Sequence, residues 1–321
     1  MTVTEETLER LAAIPSLQVS TATPLSRYTR FGIGGPADVF AQTAVAEAFL
    51  AAMEVARSSG LDYTVIGAGT NLIVADEGFP GIVLRFVADR LLAAGNHVIA
   101  EAGAVLQDLV DFTVARGLKG LETLAGIPGW VGAAVYGNAG AYGHSISEIV
   151  HRVRFVDDGR VRVFGNGECD FRYRESIFKE HKDWVILSTE LILAPADAQA
   201  LSRTAADILK VRNEKFPPTM KCAGSIFKNF LLANLPPEVA ARVPPPVIRE
   251  GKVPAAWFLE QVGAKGMRRG DIQIASYHAN LIYNDGAGTA RDLCALIGEL
   301  QVRVRERFGI EVEEEVQYVG L

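Results

Sequence analysis

The sequence predicts an α+β fold of two or three domains, and three observations carry that expectation. Strand-like stretches with period-two alternation recur along the 321-residue chain, between a handful of helical patterns. Two prolines, Pro217-Pro218, follow a helical pattern over 197–213 and mark the best domain boundary. The stretch from Gly126 to Gly143 is dense in glycine, with apolar and aromatic residues between. It reads as ordered backbone packed against a large flat cofactor, since glycine lets backbone approach a ligand closely. A glycine-rich turn region between strands is the alternative, and a solvated linker is not, because Ser and Lys are nearly missing from it.

A composition of 49% hydrophobic and 22% charged residues is ordinary for a soluble globular protein. The net charge of −6 argues against nucleic acid, whose phosphates require a basic footprint. The acidic start, Met1-Thr2-Val3-Thr4-Glu5-Glu6, lacks the apolar core of a signal peptide. No run reaches the roughly 18 apolar residues of a membrane span. Cys169, Cys222 and Cys294 are far apart and odd in number, which fits a reducing cytoplasm and small buried hydrophobes. His97, His144, His151 and His181 show no ligand spacing, so no metal is expected. A monomer is favoured.

Taken in order, a short helix is expected from Glu5 to Ala13, before a glycine cluster, Tyr28-Thr29-Arg30-Phe31-Gly32-Ile33-Gly34-Gly35-Pro36. Ala37–Ala41 reads as a strand and residues 44–59 as a helix stopped by Gly60. Tyr63–Ile66 and Leu72–Ala75 are extended runs joined by Gly67-Ala68-Gly69-Thr70-Asn71. That turn is not a Rossmann fingerprint: Leu72 stands where the third glycine belongs, and β-branched residues follow in place of a helix. Its amides can form an anion nest for a pyrophosphate, or it is a plain hairpin turn.

Gly81–Arg85 and His97–Ala104 are strands, and residues 105–116 an amphipathic helix stopped by Gly117. Arg152–Val156 and Arg160–Phe164 alternate around Asp157-Asp158-Gly159, a strong hairpin signal. Trp184–Ser188 and Glu190–Leu193 read as two further strands. Beyond the proline pair come a Pro-rich excursion at 235–254, a helix from Ala255 to Val262 and a strand from Ala279 to Asn284. Thr289 and Asp292 open a helix to Phe308 with the stripe Leu293, Ile297, Leu300, Val304 and Phe308. Ile310–Val319 reads as the last strand.

From about Arg30 to Val319 the chain resembles the UDP-N-acetylenolpyruvoylglucosamine reductase family. The resemblance rests on ordered motifs: Thr29 to Ala37, Gly67 to Leu72, Gly126 to Gly143, Tyr173-Arg174-Glu175-Ser176-Ile177-Phe178-Lys179, Ala223-Gly224-Ser225-Ile226-Phe227-Lys228-Asn229 and His278-Ala279-Asn280. It implies a two-part FAD-binding region of the vanillyl-alcohol-oxidase-like type and a C-terminal α+β substrate domain. The divisions expected are 1–90, 91–213 and 214–321. The span from Arg174 to Lys215 is short, as in the family's compact form, whereas the 235–254 insert is more like its long form.

The implied reaction has two halves. NADPH reduces FAD, and hydride then passes from the flavin to C3 of UDP-N-acetylglucosamine enolpyruvate while C2 receives a proton. Such chemistry needs a stabiliser of developing carboxylate charge, a proton donor and a flavin held in register. The resemblance assigns Arg174 to the first task, and a guanidinium forks onto a carboxylate. It assigns Ser225 as proton donor; a serine hydroxyl is a poor acid, so position must do the work. Cys222, three residues earlier, does not substitute. Glu315 is the third catalytic candidate, in Glu313-Glu314-Glu315-Val316, with Glu313 as the fallback. Three adjacent carboxylates also fit a plain solvated edge.

For FAD the implied residues are Gly67, Gly69, Thr70, Asn71, Gly103, Ile127, Gly129, Gly132, Gly140 and Arg212. For substrate they are Lys215, Asn229 and His278. Two rival readings are an alcohol-oxidising flavoenzyme on the same scaffold and a catalytically silent nucleotide-binding module.

Overall fold

Asp158 and Gly159 both take positive φ, 45° and 71°, and close a two-residue turn in which Asp157 pairs with Arg160. That turn hand matches strand twist, so the alternating residues on either side form the expected hairpin, Val150–Asp157 with Arg160–Gly165. The structure is a computed structural model describing residues 3–321. The hairpin edges a five-stranded antiparallel sheet that continues through Val185–Ile192, His97–Glu101 and Leu91–Ala94. Phe155 anchors one face, with the rings of Phe164, Phe178 and Trp184 centred 4.7, 5.2 and 4.8 Å away.

The two strands expected at 184–188 and 190–193 are one. Thr189, the apparent break, pairs with Val153 on one side and Ala100 on the other. Its Oγ1 donates to the Arg152 carbonyl at 3.1 Å, which satisfies a hydroxyl buried inside the sheet.

A second sheet has the order Gln18–Pro24, Pro36–Thr43, Phe79–Phe86, Tyr63–Val65, the last pair parallel. The helix Ala46–Ser58 buries Phe49 and Met53 in the core that holds Val39, Ile82 and Leu84. Both sheets belong to one compact unit: the residues up to Thr23, Ala37–Ala68 and Pro80–Pro218.

The other unit is Pro24–Pro36, Gly69–Phe79 and Thr219–Leu321. Two segments from inside residues 1–90 therefore join the C-terminal part of the chain. Leu72–Val74 pairs in parallel with Gln317–Val319, and Asn284 Nδ2 donates to the Phe31 carbonyl at 2.9 Å. The turn at 67–71 is accordingly no hairpin, because Tyr63–Val65 and Leu72–Val74 have different partners.

Within this second unit an antiparallel sheet runs Lys221–Ser225, Leu281–Asn284, Ile272–Ile274, Arg268–Arg269. The helix Ala290–Phe308 starts as its cap predicts: Thr289 Oγ1 accepts from the Asp292 amide at 3.0 Å. Asp76 takes the Ala290 and Arg291 amides at 2.7 and 3.0 Å, a carboxylate at the positive helix end. Leu293, Ile297, Leu300 and Val304 are buried along the predicted stripe.

The last strand is far shorter than Ile310–Val319; only Gln317–Val319 is one. Val312 and Val316 are buried, which produces the alternation, but before Gln317 only Glu314 makes a β-bridge, to Phe227. The Pro-rich 235–254 insert holds a helical turn, Pro237–Ala240, and returns through Lys252–Val253 to pair with Phe230–Leu231. Among the described residues no helix is long and apolar enough to cross a membrane, and no cluster of three or more His, Cys, Asp or Glu is set to hold a metal.

Candidate active site

In the second unit Ser225 ends the Lys221–Ser225 strand and pairs with Leu281. The register slips between Cys222 and Ser225, and Gly224 at φ 79° absorbs the bulge. The chain then leaves the sheet and runs beside the acidic segment. The Glu315 amide donates to the Ile226 carbonyl at 2.7 Å and the Lys228 amide to the Glu313 carbonyl at 2.8 Å. Asn71 joins the same run, since its Nδ2 donates to the Glu315 carbonyl at 2.8 Å and its own carbonyl accepts from Gln317 N at 2.9 Å. Ser225, Glu315 and Asn71 are thus brought together by backbone geometry.

The three adjacent carboxylates separate by their contacts. Glu313 is ion-paired with the buried Lys228 at 2.5 Å. Glu314 accepts from Gln301 Nε2 at 2.7 Å and from the Tyr318 hydroxyl. Burial, and then Glu314, hold the Tyr318 phenol well above its ordinary range. Glu315 is half-buried beside the segment that carries Ser225.

In the first unit Arg174 sits in the left-handed region at φ 59°, within a turn where Arg172 and Glu175 exchange backbone hydrogen bonds of 3.0 and 3.1 Å. A β-carbon makes that backbone costly by about 1–3 kcal/mol, so the surroundings must hold it. Lys179 Nζ donates to the Arg174 carbonyl at 2.9 Å, and Arg174 Nη2 donates to the Gly140 carbonyl at the same distance. Arg174 and Gly140 are therefore direct partners.

Several glycines named for a cofactor also have structural duties. A Cβ on Gly69, at φ 66°, would fall 1.7 Å from the Tyr28 carbonyl oxygen. A Cβ on Gly103 would meet Ala88 O at 2.7 Å, on Gly132 the Ala102 side chain at 2.8 Å, and on Gly140 the His144 carbonyl at 2.5 Å. Gly67 differs, meeting only the Trp130 ring at 3.7 Å. Gly129, at φ 123°, accepts from the Leu106 amide at 2.9 Å, and Ile127 beside it is half-buried. Arg212, on the helix Ala198–Lys215, lies against Gly126, with Cδ 3.2 Å from where a β-carbon would stand.

Lys215 closes that helix at an exposed position, its Nζ 5.1 Å from the centre of the Phe216 ring. Asn229 Oδ1 accepts from the Ala255 amide at 3.2 Å, tying the Ser225 segment to the helix Ala255–Gln261. His278 is half-buried in the turn before Leu281–Asn284, and its carbonyl accepts from Leu281 N at 3.1 Å.

Two residues escaped the sequence reading. Arg85 Nε donates to the Gly67 carbonyl at 3.1 Å while its guanidinium lies 4.5 Å from the centre of the Trp130 ring, fixing both glycine segments of the first unit. Its signal was only an arginine at a strand end. Asn280 bonds the residues just after Ser225, and its only signal in the sequence was its place in the His278-Ala279-Asn280 motif.

The residues present fit the FAD that the resemblance implies. The amides of Ala68, Gly69 and Thr70's neighbour Asn71 donate no backbone hydrogen bond among the described residues. A turn of such donors suits a pyrophosphate, and Gly67 leaves open backbone beside it.

Residues 216–319 match the family described as UDP-N-acetylenolpyruvoylglucosamine reductase, C-terminal domain, and residues 37–165 match an FAD binding domain. A UDP-N-acetylenolpyruvoylglucosamine reductase of Solibacter usitatus is 71% identical, over 97% of this chain and 100% of the relative. That of Rubrobacter xylanophilus is 38% identical over 92% and 94%. The crystal structure of the enzyme from Thermus caldophilus superposes with a TM-score of 0.73 at 28% identity, covering 94% of this chain and 98% of that one. The α+β fold, the FAD-binding region and the motifs around Ser225 thus have one explanation: the chain belongs to the UDP-N-acetylenolpyruvoylglucosamine reductase family.

Proposed function

We propose that Arg174, Ser225 and Glu315 carry the chemistry of this chain. Its activity is that of its family: an FAD-dependent oxidoreductase, it reduces UDP-N-acetylglucosamine enolpyruvate to UDP-N-acetylmuramate with NADPH, in peptidoglycan synthesis. FAD, held by the glycine-rich segments, would supply the redox chemistry that links NADPH oxidation to reduction at C3 of the enolpyruvyl group. The Arg174 guanidinium binds the substrate carboxylate through its fork and stabilises the charge that grows there. Ser225 Oγ gives its proton to C2, and Glu315 returns a proton to that oxygen from solvent.

One observation carries this reading: the 2.7 Å bond from the Glu315 amide to the Ile226 carbonyl, which keeps a carboxylate-bearing segment alongside the serine. The family pattern, a carboxylate immediately before the valine of the terminal segment, selects Glu315, which precedes Val316.

The FAD residues in this reading are Gly67, Gly69, Thr70, Asn71, Gly103, Ile127, Gly129, Gly132, Gly140 and Arg212. Gly69, Gly103, Gly132 and Gly140 serve by letting the backbone segments beside each of them approach closely. Lys215, Asn229 and His278 take the substrate; a lysine is a natural point charge for a diphosphate. The two sheets of the first unit support its division into FAD-binding subdomains near residue 90. The substrate domain of this reading, 214–321, holds the C-terminal segment of the second unit, Thr219–Leu321. A monomer in the cytoplasm is the state this reading favours.

The test is colour. Purified protein should absorb near about 450 nm, bleach on anaerobic NADPH and recover on adding the enolpyruvyl substrate. A colourless protein, or bleaching without recovery, refutes the activity.

A further inference from the structure

We infer that Asn280 is a positioning residue for proton transfer, acting through the backbone that holds Ser225. The inference rests on the assignment of Ser225 as proton donor. Asn280 is 2% exposed, and its carboxamide grips one peptide unit after another. Oδ1 accepts from the Phe227 amide at 2.9 Å and Nδ2 donates to the Phe227 carbonyl at 2.8 Å. Its own carbonyl accepts from the Ile226 amide at 3.1 Å. The two residues after Ser225 are therefore tied to Asn280 by three hydrogen bonds, two of them from one side chain.

This clamp stands where the sheet gives out. Ser225 is the last residue of its strand to pair, with Leu281, and the register slips just before it. Beyond Ser225 the ladder with the Leu281–Asn284 strand ends, and the Phe227–Glu314 bridge fixes Ile226 and Phe227 from the opposite side only. Asn280 supplies the missing donor and acceptor on one side. On the other side the Ile226 carbonyl takes the Glu315 amide at 2.7 Å. Asn280 thereby sets how the serine's segment lies against the segment that carries Glu315.

A planar carboxamide suits the task because it presents a donor and an acceptor side by side, matching the N–H and C=O of one residue. Aspartate keeps the shape and the acceptor but puts an oxygen against the Phe227 carbonyl. The buried donor bond becomes a repulsion, and the peptide must shift. A serine hydroxyl, a poor acid, depends on its placement more than a strong acid does. A misplacement of about 1 Å costs on the order of 100-fold in rate.

The experiment uses the FAD-loaded enzyme under anaerobic stopped flow, which reads the two half-reactions separately. Asn280→Asp should bleach with NADPH at the wild-type rate within about twofold, yet reoxidise with the enolpyruvyl substrate about 10- to 100-fold more slowly. The substrate concentration at half-saturation should stay near wild type. Ser225→Ala and the double variant complete a cycle. If Asn280 acts through Ser225, the double variant is no slower than Ser225→Ala alone. Additive losses, or equal slowing of both half-reactions, would overturn the inference. Should Asn280→Asp not fold, Asn280→Gln, which keeps both groups one methylene further out, takes its place with the same criteria. If Ser225→Ala itself reoxidises normally, the parent assignment of the serine is what fails.

Discussion

Arg174 donates to the carbonyl of Gly140 at 2.9 Å from a backbone held at φ 59°. The guanidinium is thus anchored to the glycine-rich stretch from a conformation that side chains resist. One of its N–H groups is used for orientation. Replacing it by lysine keeps the charge and loses the fork. Arg174→Lys should lower kcat for enolpyruvyl reduction by about 100-fold or more, with NADPH bleaching within about twofold of wild type. Single-turnover kinetics check it.

The acidic run gives a sharper comparison. Glu313 has a 71% exposed side chain, although its partner Lys228 is buried, so solvent screens its charge from the site. Glu313→Gln should therefore keep most activity. Glu315→Gln should lose at least about 10-fold in the substrate half-reaction. Steady-state rates of the two variants, side by side, decide which carboxylate matters; the reverse ranking would move the role to Glu313.

Backbone crowding makes a stability prediction. Gly69→Ala forces a β-carbon onto the Tyr28 carbonyl and strains a positive φ of 66°. It should destabilise the fold by more than about 2 kcal/mol. Gly67→Ala meets only the Trp130 ring at 3.7 Å and should unfold at the wild-type temperature. Thermal melts of the apoproteins measure both without interference from bound flavin.

Cys169 is buried, and burial followed by the charge of Glu168 pushes its thiol up from 9.0 to about 12. The unfolded chain ionises this thiol first, so unfolding releases a proton at high pH. Its contribution to stability is complete below 9 and falls as pH rises towards about 12, by about 1.4 kcal/mol per unit. Urea unfolding at pH 8 and 10 should show a smaller loss for Cys169→Ala than for wild type.

Much of this was readable from residue patterns. The Asp158-Gly159 hairpin, the Thr289 cap and the stripe from Leu293 to Val304 depend on neighbours in sequence, and all appear. What the pattern hid depends on distant partners. Thr189 looked like a break because its hydroxyl partner, Arg152, lies on another strand. Ile310–Val316 alternates because Val312 and Val316 are buried, not because it is a regular strand. Pro24–Pro36 and Gly69–Phe79 join the C-terminal unit through contacts such as Asn284 to Phe31, which no local window contains. In the site the serine's motif was plain, whereas the duty of Asn280 emerges only from its bonds to Phe227.

The most direct measurement is the Ser225→Ala enzyme, loaded with FAD and mixed anaerobically with NADPH and then with the enolpyruvyl substrate. The account predicts bleaching at the wild-type rate and a recovery of colour slowed by at least about 100-fold, since only the second step consumes a proton at C2. Recovery at the wild-type rate, or equal slowing of both steps, would contradict it.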